Sequence, residues 1–141
     1  MNAARRYRQT QATTASREEV LLMLYDGALR FLDEAIDALR QKDSARSGQR
    51  IGKVLAIIAE LQGALDYRPA PELCRTLDSL YMYMTQQLLE ANQQRSVAQV
   101  ERVRELLATL YQTWREAAEI VRREQAQANG RSNGGRFDSE A

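Results

Sequence analysis

The side chains that could do chemistry in this chain are carboxylates, arginines, tyrosines and a single thiol, because histidine is absent from all 141 residues. That absence removes the Glu-x-x-His pairs of di-iron bundles and the base of any Ser-His or Cys-His nucleophile. Zinc would have to rely on carboxylates beside the one cysteine, Cys74, a poor donor set for that metal. No P-loop or G-x-G-x-x-G spacing is present, and Gly134-Gly135 lies in a polar C-terminal stretch rather than at a strand–helix turn. Acidic neighbours such as Glu18 and Glu19, or Asp33, Glu34 and Asp37, stand near arginines and read as solvated helix faces. The residue types therefore point away from an enzyme, and neither metal nor cofactor is expected.

The remaining bulk properties narrow the class further. A single cysteine allows no intramolecular disulfide and fits a reducing compartment. Cys74 sits among Leu73, Leu77 and Leu80 and reads as a small buried hydrophobe. Twenty basic residues against 19 acidic ones give a net charge of +1, which makes no electrostatic case for nucleic acid. The longest apolar run, Val20 to Tyr25, is far short of the roughly 20 residues that a membrane span needs. With a polar N-terminus lacking a leader-like apolar stretch, the reading is a cytoplasmic protein with no membrane insertion. A peripheral membrane helix would carry a basic polar face, whereas the polar faces here mix both signs.

Behind these residues stand elements of one kind. Ala, Leu, Glu, Gln and Arg dominate, and strand-like alternation is absent. Residues 1–15 read as a mobile, polar N-terminal arm or short helical turn around Tyr7, with Arg5, Arg6 and Arg8 beside it. Ser16 and Glu19 form an S-x-x-E capping box for a first helix to about Gln41, striped by Leu21, Leu24, Ala28, Leu32, Ala35 and Leu39. Met23, Phe31 and Ile36 widen that stripe. Inside the helix stands Gly27, which costs about 1 kcal/mol relative to Ala; close approach of another helix would explain it.

A second helix runs to about Asp66, with Ile51, Val54, Leu55, Ile58, Leu61 and Leu65 on one face and Ile57 off the stripe. Its Gly48, Gly52 and Gly63 mean that tertiary packing must hold it. Pro69 and Pro71 break the chain, and Pro71 can start a third helix carrying Leu73, Leu77, Leu80, Tyr81, Met84, Leu88 and Ala91. Ser96 and Gln99 form another capping box before a last helix with Val100, Val103, Leu107, Leu110, Trp114 and Val121. Residues 128–141 are polar and Gly-rich and read as a disordered tail. The expected fold is all-α: an antiparallel four-helix bundle over residues 16–127 with an N-terminal arm and a C-terminal tail.

Apolar content exceeds what one face per helix needs. Tyr81 and Tyr83 point to different sides of the third helix, as do Met82 and Met84. Two readings stay open: a helix buried all round, or an exposed groove for a partner's amphipathic helix. A homodimer interface on a structural helical protein would use the same surplus.

The stretch Met23-Leu24-Tyr25-Asp26-Gly27-Ala28-Leu29-Arg30-Phe31-Leu32 resembles the M-L-Y-D-G-A-I-x-F-L signature of the FliS family, the flagellar export chaperones. Leu61 through Asp66, Leu80-Tyr81-x-Tyr83-Met84, Leu88-Leu89-Glu90-Ala91-Asn92 and Leu106-Leu107-x-x-Leu110-x-x-x-Trp114 are similar to later parts of the family in the same order. Arg17 stands where the family often has Pro, and Ser96-Val97-Ala98 where it usually carries an Asp. The resemblance implies a binding protein that holds the C-terminal segment of flagellin as helices along the bundle, covering faces that would otherwise polymerise in the cytoplasm. It also implies docking on the flagellar export gate, and homodimerisation remains an option for the unloaded chain. The partner-binding candidates are Tyr7, Ile57, Leu61, Tyr83, Leu106 and Leu110, with Tyr7 as a plug over the empty groove. Tyr25, Asp26 and Gly27 of the signature are read first as architecture, Asp26 by bonding or capping a neighbouring element, and Trp114 is read as core.

Overall fold

The computed structural model describes residues 16–140, with side chains as far as Arg131. Ser16 begins the first helix, α1 (Arg17–Arg40), and its hydroxyl accepts a hydrogen bond from the Glu19 amide at 3.1 Å. This satisfies one of the amide groups that a helix start leaves without an internal partner. Lys42 in a left-handed conformation, φ 59°, then turns the chain. Asp43 caps α2 (Ser44–Gly63), accepting from the Arg46 amide at 3.1 Å. After a loop, Pro71 takes the first turn of α3 (Pro71–Gln94), where its missing amide proton costs nothing. The chain reverses at Arg95, φ 54°, and Ser96 accepts from the Gln99 amide at 3.2 Å to open α4 (Val97–Glu140).

Cross-helix pairs fix the topology. On α1 and α2, Gly27 faces Ile57 while Asp37 pairs with Arg46. On α2 and α3, Gly48 faces Asn92 while Gln62 reaches Asp78. On α1 and α4, Tyr25 reaches Trp114 while Asp33 pairs with Arg104. In each pair, numbers rise on one helix as they fall on the other, so neighbours are antiparallel. α1 and α3 each pack against α2 and α4, whereas the diagonal pairs make no close backbone contact. The result is a square up-down-up-down bundle of the expected class.

The core follows the expected stripes closely. Ala28, Leu32, Ala35, Ile51, Val54, Ile58, Leu61, Met84, Leu88, Val100, Val103 and Leu107 are buried. Ile57, expected off the stripe, is buried too, because the adjoining Gly27 presents no side chain and lets Ile57 fill the α1–α2 seam. Met23, Leu73 and Val121 depart in the other direction and are exposed. Leu73 and Val121 lie close to the end of the bundle where neighbouring helices start or stop. Cys74 is buried as expected, and its thiol also donates to the Asp66 carbonyl at 3.1 Å, tying α3 to the preceding loop.

The last helix extends past its neighbours. α4 leaves the bundle near Val121 and continues as helix to Glu140, and every residue from Arg122 to Arg131 is exposed. An α-helix closes its backbone hydrogen bonds within itself, so this path needs no tertiary partner.

Candidate partner-binding surface

α3 is the helix with the most apolar surface left over. Leu73, Met82, Tyr83 and Leu89 lie on it, and all are large hydrophobic residues exposed to solvent, Met82 at 60% and Leu89 at 53%. The alternation noted in the sequence is real: Tyr81 and Met84 are buried, and Met82 and Tyr83 are not. α3 is therefore not buried all round.

Polar contacts show which flank of α3 faces which neighbour. The Gln99 amide on α4 donates to Gln87 at 3.3 Å and to Glu90 at 3.1 Å. Counting back from Gln87 by four and seven residues places Tyr83 and Leu80 on that same flank. Counting on from Gln99 by seven and eleven places Leu106 and Leu110 on the facing flank of α4. Both leucines are half-buried, and Tyr83 is 47% exposed. Tyr83, Leu106 and Leu110 thus border one seam between α3 and α4. On the opposite flank of α3, the Gln62–Asp78 hydrogen bond of 3.1 Å marks the α2 side. Met82 and Leu89, four and eleven residues beyond Asp78, flank that second seam.

Two other candidates do not join them. Ile57 is 7% exposed and Leu61 is 1% exposed, and both belong to the central cluster. Their side chains are spent on the bundle, so neither offers an apolar contact to a partner without a change in packing. Tyr7 lies outside the described residues. The sequence singled out Met82, as lying on another side of α3 from Met84, but not Leu89; the signal available was the seven-residue spacing of Leu89 from Met82, away from the Leu77–Met84–Leu88 stripe.

Ion pairs between helices join α1 to its two neighbours. Arg50–Glu34 at 2.6 Å and Arg46–Asp37 at 3.0 Å join α1 to α2. Arg104–Asp33 at 2.5 Å and Arg40–Glu101 at 2.9 Å join α1 to α4. The polar contacts of α3 with α2 and α4 include those of the Gln62 and Gln99 side-chain amides. The lips around Tyr83 and Met82 thus set apolar side chains beside polar edges in which Gln62 bonds to Asp78 and Gln99 to Gln87 and Glu90, a mixture that suits docking of an amphipathic helix. Met and Tyr also suit such surfaces, since Met repacks easily and Tyr joins apolar area to a hydroxyl.

The signature residues serve the scaffold unevenly. Tyr25 is fully buried; the Trp114 ring N–H donates to its hydroxyl at 3.1 Å, and the Tyr81 hydroxyl lies 2.5 Å away. Burial pushes both phenols above their ordinary pKa. Trp114 is half-buried against the core, as expected. Gly27 sits at the α1–α2 contact, yet a methyl group there would meet Ile57 Cδ1 at 3.7 Å, an ordinary contact. The close approach expected at Gly27 is thus real but not tight. Asp26 is exposed and neither bonds to nor caps any of the described residues. The reason is direction: one residue past the buried Tyr25, its side chain points outward. No cluster of three or more metal-ligating side chains occurs among the described residues. None of the described helices is long and apolar enough to cross a membrane.

Comparison with known proteins agrees with this architecture. The family model described as "Flagellar protein FliS" matches residues 1–121, ending where α4 leaves the bundle. The flagellar secretion chaperone FliSB of Pseudomonas aeruginosa is 32% identical over 118 residues, covering 81% of this chain and 94% of the relative. The flagellar secretion chaperone FliS of Campylobacter jejuni is 33% identical over 110 residues, covering 78% and 86%. That of Escherichia coli is 31% identical over 110 residues, covering 77% and 81%. A solved bacterial flagellar chaperone superposes with a TM-score of 0.70 at 21% identity, covering 84% of this chain and 97% of the other, which supports the fold. The chain belongs to the FliS family of flagellar secretion chaperones, which are not enzymes.

Proposed function

We propose that this chaperone binds the C-terminal segment of flagellin as amphipathic helices laid along the outside of the bundle. The observation that carries the reading is the exposure of Tyr83 on the flank of α3 that faces α4, where Leu106 and Leu110 are half-buried along the facing flank. Laying a helix there covers apolar surface on both partners, and about 25 cal/mol per Å² of it favours the complex. Ordering a disordered segment opposes this by several kcal/mol, which keeps the complex releasable. While its apolar faces are covered, the segment cannot nucleate filaments in the cytosol, where the chaperone would act before delivering its cargo to the flagellar export gate.

In this reading the binding unit is residues 16–127, and Tyr7 of the N-terminal arm, residues 1–15, competes with flagellin for the seam. Light scattering on a size-exclusion column, with and without the flagellin segment, tests the reading. A one-to-one complex whose circular dichroism exceeds the sum of its parts in helix is expected. A self-associated chain that ignores the segment would instead favour a homodimeric structural protein.

A further inference from the structure

We draw no further inference here: the strongest candidate, the seam between α2 and α3 where exposed Met82 and Leu89 stand beside the small-residue flank of Gly48, Gly52, Ala56 and Ala59, carries nothing because nothing in the structure shows what covers it.

Discussion

The hydroxyls of Tyr25 and Tyr81 lie 2.5 Å apart at the centre of the bundle, linking α1 to α3 across a diagonal along which the two backbones never approach. Trp114 completes the arrangement from α4, donating to Tyr25 at 3.1 Å. Three helices thus share one buried polar contact, and the Tyr of the family signature is its middle member.

The two tyrosines are not equivalent within that contact. Removing the Tyr25 hydroxyl leaves both the Trp114 N–H and the Tyr81 hydroxyl without a partner, whereas removing that of Tyr81 leaves Trp114 still bonded to Tyr25. An unsatisfied buried polar group costs about 1–3 kcal/mol. Tyr25→Phe should therefore destabilise the bundle by about 2–4 kcal/mol and Tyr81→Phe by about half as much. Urea midpoints of the two variants decide it, and a larger loss for Tyr81→Phe would contradict the geometry.

The same burial makes stability sensitive to alkali. Both phenols are held above their ordinary pKa, chiefly by loss of solvation for the phenolate. The fold therefore favours the protonated form, and the contribution is fully present below the unfolded-state value of about 10. It falls progressively as pH rises past that value, because the unfolded chain ionises first. Thermal midpoints between pH 8 and 11, values chosen as roughly bracketing the free phenol, should drop at the alkaline end. The Tyr25→Phe, Tyr81→Phe double variant should show a shallower drop, and an identical one would remove these phenols as its source.

Gly27 has room for one carbon but not for a branched side chain. An added methyl meets Ile57 at 3.7 Å, so Gly27→Ala should be stabilising by up to about 1 kcal/mol through helix propensity. Gly27→Leu should instead cost about 1–3 kcal/mol by overpacking the α1–α2 seam. Gly52 meets nothing within 4 Å, so Gly52→Ala should gain about 1 kcal/mol with no such limit. Denaturant midpoints that fall for both alanine variants would mean that the helices pack more closely than described.

Surface and core candidates should separate cleanly in mutagenesis. Leu61 is 1% exposed, so Leu61→Ala should cost about 2–5 kcal/mol of stability. Tyr83 is 47% exposed, and Tyr83→Ala should leave stability within about 0.5 kcal/mol. A paired measurement of unfolding for the two variants checks this, and comparable losses would place Tyr83 in the core.

Much of this molecule could be read from periodicity and caps. Ser16, Pro71 and Ser96 announce three of the four helix starts through local chemistry alone, and local chemistry needs no knowledge of neighbours. The stripes through Leu32, Ile58, Met84 and Leu107 likewise specify which faces turn inward. What periodicity could not supply was the competition between residues for the same interior. Ile57 entered the core because Gly27 left space across the seam, a fact about two helices rather than one. Leu73 fell outside because the bundle ends beside it. The partner surface was half legible for the same reason: Tyr83, Leu106 and Leu110 share a seam only once α3 and α4 are placed in register by Gln99, and Leu61 lies on the far side of that choice.

The most direct test of the proposed binding mode is isothermal titration of the flagellin C-terminal segment into the wild-type chain and into the Tyr83→Ala, Leu110→Ala double variant. One-to-one binding to the wild-type protein is expected, with at least a tenfold loss, about 1.4 kcal/mol, in a double variant that retains native helicity. Wild-type affinity in the folded double variant would contradict the α3–α4 seam as the site, and no binding to the wild-type protein would contradict the flagellin segment as the partner.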